Sequence, residues 1–352
     1  MAELTYRDAI LRGLTQEMER DERVFLIGED VAKAGGVFKC SDGLLERFGP
    51  SRVRDTPISE EAILGFAIGA AMTGLRPVAE IMFSDFLATC WDMVANQMAK
   101  KRFATNGQMG VPLVVRTFNG GGLRFGAQHS QSLENWAMSI PGLKVVAPSN
   151  PTDAVGLLAA AVRCDDPVIV FEHKALIPTK GEVPDGEIID TLGTARIVRA
   201  GRDVTIVSLA AMVPRALEAA EVLAAEGIDA EVIDLRSLVP LDTATVLASV
   251  AKTSRLVTME ENPRLCGWGA EVASIVAEEA FWDLDAPVTR VTTPHVPIPA
   301  AGVLEDVVLP SVAKLVDAVR RLSGLYGMTI DDISVWVYLS LSTYGSKGDL
   351  WF

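Results

Sequence analysis

The sequence is short of the residues that most often announce a chemistry. It holds three histidines and four cysteines in 352 residues. Cys40, Cys90, Cys164 and Cys266 lie far apart with no C-x-x-C pair, which argues against a disulfide framework or a thiolate zinc site. His129, His173 and His295 never pair at ligand spacing, so a histidine-based metal site has no support. There is no G-x-x-x-x-G-K-[ST] phosphate loop and no G-x-S-x-G nucleophile elbow. Positive charge is scarce: 32 basic against 46 acidic side chains leave a net charge of −14. That balance repels a nucleic-acid backbone or an anionic membrane, and attracts a basic protein partner. No apolar run is long enough to span a membrane, and the start, MAELTYRDAI, lacks a basic-then-apolar signal pattern. The expectation is a soluble, cytoplasmic protein.

What is present is apolar and periodic. Hydrophobic residues make up 49% of the chain, enough for large cores, and the length favours two domains. Residues 24–30, 76–83, 111–118, 143–149 and 167–173 read as strands, apolar on both faces. Helix-period segments alternate with them: the small-residue stretch after Ser59, then 84–101 and 150–163. Such alternation predicts a parallel sheet covered on both sides. Residues 178–194, rich in Pro, Gly and acid, read as a linker. A second strand-helix alternation runs from about 195 to 322. The expected class is α/β, two doubly wound domains, with boundaries at 1–185 and 195–322.

Two stretches invite a functional reading. In TPISEEAILGFAIGAAMTG (56–74), Glu60 and Glu61 open a helix of small and apolar residues. On these residues alone they are helix-start carboxylates, with Ser59 able to cap the first turn. The second stretch, NGGGLRFG (119–126), follows a strand but lacks dinucleotide-loop spacing. It is either a flexible turn or a backbone that must approach a ligand closely. His129 follows it, at the strand-end edge where open α/β sheets bind ligands; a surface histidine is the alternative.

The strings GEDVA (28–32), DTPISE (55–60), GLRPVAEIMFSDF (74–86), GAQHSQS (126–132), PGLKVVAPSNPTDA (141–154) and VTTPHVPIPAAGVLED (291–306) carry a likeness. In this order and spacing the chain resembles the β subunit of thiamine-diphosphate-dependent 2-oxo acid and acetoin dehydrogenases, over roughly residues 4–322. The resemblance implies a pyrimidine-binding domain followed by a transketolase C-terminal-like domain. It implies thiamine diphosphate as cofactor, with Mg²⁺ held by a G-D-G…N motif of an α subunit; this chain has no G-D-G triplet. The implied assembly is an α2β2 heterotetramer feeding acyl groups to a lipoyl acyltransferase core.

Residue by residue, Glu60 resembles the family's acid that hydrogen-bonds and protonates N1′ of the cofactor's aminopyrimidine, and burial should raise its pKa. Phe86 resembles the aromatic side chain stacked on that ring; a core phenylalanine is the alternative. His129 resembles the histidine facing the thiazolium side. Glu29 resembles an acid in the tunnel joining two cofactor sites; a solvated strand-end acid is the alternative. Glu61 departs from the family and is read as solvent-facing or as an added helix-start charge. Ala62, Gly65, Gly69 and Thr73 recur every three or four positions, leaving room for another backbone. Some relatives hold K⁺ through carbonyls near RCDDP (163–167). The string FEHKALIPTKGEVP (171–184) is nearest to acetoin dehydrogenases, with pyruvate and branched-chain 2-oxo acids as alternative substrates. His173 is assigned no chemistry. A noncatalytic scaffold is the rival of another class, and a single-chain transketolase-type enzyme fails for want of the diphosphate-magnesium motif.

The tail, 323–352, departs from this likeness. Its middle, ISVWVYLSLS (333–342), alternates with the two-residue period of a strand and carries no charge or proline. A covered strand without catalytic duty is the expectation.

Overall fold

The structure, a computed structural model, describes residues 1–324. The strand expected at 333–342 therefore lies outside the described residues. In the N-terminal part the strands are β1 (Ala2–Thr5), β2 (Val24–Gly28), β3 (Val53–Asp55), β4 (Arg76–Phe83), β5 (Val114–Asn119), β6 (Lys144–Val146), β7 (Val168–His173) and β8 (Lys180–Val183). Then follow β9 (Arg196–Arg199), β10 (Val204–Ser208), β11 (Ala230–Asp234), β12 (Ser237–Val239), β13 (Leu256–Pro263) and β14 (Thr289–Thr293). The helices up to the second half are α1 (Tyr6–Arg20), α2 (Leu44–Phe48), α3 (Glu60–Met72), α4 (Ala99–Ala104), α5 (Glu134–Met138) and α6 (Pro151–Arg163). The rest are α7 (Met212–Ala225), α8 (Thr243–Thr253), α9 (Trp268–Glu279), α10 (Gly302–Val308) and α11 (Val312–Gly324).

Strands β2, β5, β7, β10 and β11 are buried along their whole length, as a sheet sandwiched between helices requires. The first sheet has seven strands in the order β12-β6-β7-β5-β4-β2-β3, parallel except for β12. The second has five, β14-β13-β10-β11-β9, parallel except for β9. Capping follows the sequence. Thr5 accepts from Asp8 N–H at the start of α1, and Asn150, with Pro151 at the first turn, accepts from Asp153 N–H at the start of α6. These two helices pack closely: a Cβ at Gly13 would come within 3.2 Å of Leu158 Cδ2.

Three local expectations change. The stretch read as a linker contains β8, which pairs antiparallel with β1, Ala2 opposite Val183; a partner almost a whole domain away in sequence leaves no local signal. The stretch 84–101 is not one α-helix. It is a 3₁₀ turn at Ser84–Cys90 and a π-helical turn at Met93–Met98, leading into α4. Thr89 Oγ and Cys90 Sγ turn back to the Phe86 carbonyl, competing with regular helical bonding. Third, β12 joins the first sheet although its sequence follows β11 of the second.

The first sheet carries a buried ion triad. Arg116 of β5 is fully enclosed between Glu80 of β4, at 2.8 Å, and Glu172 of β7, at 2.6 and 2.9 Å. The two carboxylates hold the guanidinium protonated against the desolvation that opposes its charge. Such a triad is strongly destabilised by loss of one member, by about 3–5 kcal/mol.

Candidate active site

Four neighbouring parallel strands, β5, β4, β2 and β3, end along one edge of the first sheet. The candidates follow from them in turn: His129 after β5, Phe86 after β4, Glu29 after β2 and Glu60 after β3. The topology thus gathers residues spread over 100 positions onto the edge where ligands bind in open α/β folds.

Two pairs form within this edge. The Phe86 and His129 rings meet edge-to-face at 5.3 Å, and Phe83 meets His129 at 5.1 Å and Phe86 at 5.6 Å. Glu29 and Glu60 are both half-buried, and burial, then the Glu60 and Asp30 charges, raise the Glu29 carboxyl above its usual range. Burial, followed by Glu60, also pushes the Cys90 thiol up to about 12. Among the described residues no hydrogen bond, ion pair or ring contact joins the Phe86–His129 pair to Glu29 and Glu60. Glu61 is exposed, as expected. Ser59 makes no side-chain cap; its carbonyl accepts from Ile63 N–H instead. The small-residue face of α3 is open: Ala62, Gly69 and Thr73 are exposed, and a Cβ at Gly69 would meet nothing within 4 Å.

The glycine-rich loop is not a free turn. Its backbone amides are held by carboxylates of the second half of the chain. Gly121 N–H donates to Glu261 at 2.5 Å, and Gly122 N–H to Glu305 at 2.8 Å. Arg124 reinforces this by pairing its guanidinium with Glu305 at 2.6 Å. Gly120, at φ 83°, lies against His173, where any Cβ would collide with the ring. That ring bridges the two halves, Nε2 to Glu261 at 3.0 Å and Nδ1 accepting from Ala175 N–H. Burial opposes ionisation of Glu261, but His173 and the Gly121 amide hold its carboxyl down to about 2. Beside the loop a cleft of about 670 Å³ opens between the two halves, lined by Gln128, Ser130, Trp136, Glu261, Cys266 and His295 among others.

Sequence reasoning left out Glu261, Glu305, Asp85 and Lys174. The signal was faint: two adjacent acids, Glu260 and Glu261, ending an otherwise apolar strand. Around 163–167 arginines reach several backbone carbonyls. The carbonyls of Val162 and Cys164 accept from Arg76 at 2.8 and 3.0 Å, and that of Asp165 from Arg102 at 3.0 Å. Among the described residues no cluster of three or more His, Cys, Asp or Glu could hold a metal ion, and no helix is long and apolar enough to cross a membrane.

A two-domain α/β chain with acids and aromatics along one strand-end edge is of the transketolase class. Residues 2–180 match the transketolase pyrimidine binding domain, and residues 193–315 the transketolase C-terminal domain. The chain belongs to the family of acetoin and 2-oxo acid dehydrogenase β subunits, thiamine-diphosphate-dependent oxidoreductases. It is 48% identical to the acetoin:2,6-dichlorophenolindophenol oxidoreductase subunit beta of Bacillus subtilis, covering 91% of this chain and 97% of that one. It is 47% identical to the mitochondrial pyruvate dehydrogenase E1 component subunit beta-1 of Arabidopsis thaliana, covering 91% and 89%. With the 2-oxoisovalerate dehydrogenase subunit beta of B. subtilis it shares 43%, covering 92% and 99%. Among solved structures it is similar to a split-gene transketolase, described as an inactive β4 tetramer, with TM-score 0.76 and 25% identity over 91% and 98% of the two chains.

Proposed function

We propose that this chain is half of an active site that cleaves acetoin and, with an α subunit, passes the acyl group to a lipoyl acyltransferase core. The observation that carries the reading is Glu60. It is a half-buried acid at the start of α3, coupled to Glu29 and set beside a small-residue face that this chain leaves open. A second chain on that face would enclose the acid and complete the site. The residues fit thiamine diphosphate held between two chains, with Glu60 and Phe86 toward its aminopyrimidine and His129 toward its thiazolium. When bound, the cofactor supplies a carbon nucleophile able to accept the electron pair released on cleaving the substrate's carbon–carbon bond.

The chain's own residues do the rest. Glu60 hydrogen-bonds the aminopyrimidine N1′ and exchanges a proton with it, the role of a positioned general acid. Glu29, its carboxyl raised by burial and then by the Glu60 charge, lies within the same electrostatic field. Phe86 gives an apolar shelf, and His129, packed on Phe83 and Phe86, handles protons on the substrate side. Magnesium belongs with the α subunit's G-D-G…N motif in this reading.

Acetoin is preferred for the EHKAL and KGEVP strings, since 48% and 47% identity do not separate acetoin from pyruvate relatives. The test is reconstitution. The purified chain alone should show no thiamine-dependent turnover. With its α subunit, Mg²⁺ and thiamine diphosphate it should reduce an artificial electron acceptor, faster with acetoin than with pyruvate or 2-oxoisovalerate. Robust activity of the single chain would sink the half-site reading; a preference for either oxo acid would correct the substrate.

A further inference from the structure

We propose that Lys174 is the positioning residue of the His129 loop: a buried ammonium that neutralises the four carboxylates holding that loop in place. Its side chain is fully buried, yet Nζ has no hydrogen-bond partner among the described residues. Its close contact is the Phe83 ring, 5.2 Å from Nζ to the centroid. An ammonium so placed is expensive to bury, and one that pairs with a single acid would be cheaper. Lys174 is instead shared. The charges that reach it are those of Asp85, Glu261, Glu134 and Glu305.

Each of those acids grips the same loop. Asp85 accepts from Gln131 N–H at 3.3 Å and from its side-chain amide at 2.8 Å. Glu261 accepts from Gly121 N–H and from Ser132 Oγ–H at 3.2 Å. Glu305 accepts from the Gly122 and Arg124 amides. Glu134 accepts from Asn119 at 2.7 Å and from Asn262 at 3.2 Å. The loop needs such support, because Gly120, Gly122, Arg124 and Gly126 all sit at positive φ. Asp85, Glu261 and Glu305 around one short segment repel one another at low effective dielectric, and burial, with Glu261 nearby, pushes the Glu134 carboxyl up to about 7. His173 is bonded to Glu261 and Arg124 to Glu305, which leaves Lys174 as the cation facing Asp85 and Glu134 as well. Burial pulls its amine down to about 8, and the four acids act against that fall.

Two short routes run from Lys174 to His129. One passes through Phe83, whose ring touches the lysine on one side and the imidazole at 5.1 Å. The other passes through Asp85 to Gln131, two positions beyond His129. Lys174 therefore acts on the imidazole without touching substrate, and the catalytic part of this inference rests on the reading of His129 given above.

The test has two arms on the full-length chain. In Lys174→Met, amide exchange in peptides covering 119–134 should rise at least about tenfold, with α1 and α6 unchanged, because local opening reports local stability. In the enzyme assembled with its α subunit, Mg²⁺ and thiamine diphosphate, kcat should fall about 10–100-fold, as for a misplaced catalytic group, with KM held within about threefold. Unchanged exchange across 119–134 would overturn the proposal. A loosened loop with unchanged kcat would overturn the link to His129. If Lys174→Met does not fold, the double variant Lys174→Met/Asp85→Asn, which removes one of the charges, should restore folding and loop protection. Failure of the double variant would make Lys174 a packing residue and end the idea. If the wild-type assembly shows no turnover, the fault lies with the function reading, and the exchange arm still decides the role of Lys174.

Discussion

The difference between Glu60 and Glu61 shows how much one position decides. Both stand in the first turn of α3, but one is half-buried beside Glu29 and the other faces solvent. Glu60→Gln should keep the fold and slow cofactor activation by about 10²–10⁴-fold, the size expected for a positioned proton donor. Glu61→Gln should change stability by no more than about 0.5 kcal/mol and leave activation alone. Both are read from single-turnover kinetics of the assembled enzyme; equal rates for the two would break the assignment. The four candidates were named because the family likeness gives each of them a role, and Glu29 and Phe86 also closely follow apolar strands. Asp85, Lys174, Glu261 and Glu305 were not. Their partners lie 46, 140 and 183 positions away for Asp85–Gln131, Glu261–Gly121 and Glu305–Gly122, and periodicity has no reach of that kind.

At the scale of elements, strands were easy to read and irregular helices hard. β4 occupies the expected 76–83, since an apolar run bounded by Gly and Ser has few alternatives. The 84–104 stretch breaks into 3₁₀, π and α turns because Ser84 and Asp85 bond to Gln131, tying the helix start to the loop. The end of β11 offers a test. Asp234 is fully enclosed, accepting from Ser149 Oγ at 2.5 Å and from Arg236 N–H at 3.0 Å. Burial, with Asp153 nearby, pushes its carboxyl up to about 7. Below about pH 4 the group is protonated folded or unfolded and costs nothing. As pH climbs from about 4 to 7 the unfolded chain ionises while the folded one does not, so stability falls, then levels off. Asp234→Asn keeps an acceptor for Arg236 N–H and removes the titration. Denaturant unfolding at several pH values should therefore show the variant gaining on the order of 2–4 kcal/mol over wild type between pH 4.5 and 8. Parallel pH profiles for the two proteins would refute it.

At the scale of the molecule, the two halves are more tightly joined than their sequences suggest. β12 leaves the second alternation to complete the first sheet, Ser237 opposite Val146, and Arg236 just before it is buried against Asp153 of α6 at 3.1 Å. From the other side, Glu261 of β13 and Glu305 of α10 reach back to the glycine-rich loop. Neither sheet can open without exposing charges that the other half neutralises. The chain should accordingly unfold in one calorimetric transition, with matching van 't Hoff and calorimetric enthalpies, instead of two domain transitions. Arg236→Leu leaves the buried Asp153 and the half-buried Asp190 sharing Arg196 in place of two guanidiniums, at a cost of about 1–3 kcal/mol. The local reading would have that loss fall on one half alone. Shared strands and shared charges make the opposite demand: peptides of β2 and of β10 should lose exchange protection together in the variant, and the single transition should move to lower temperature without splitting. Protection lost around β10 while β2 holds would mean that β12 and the buried acids decorate an interface they do not couple.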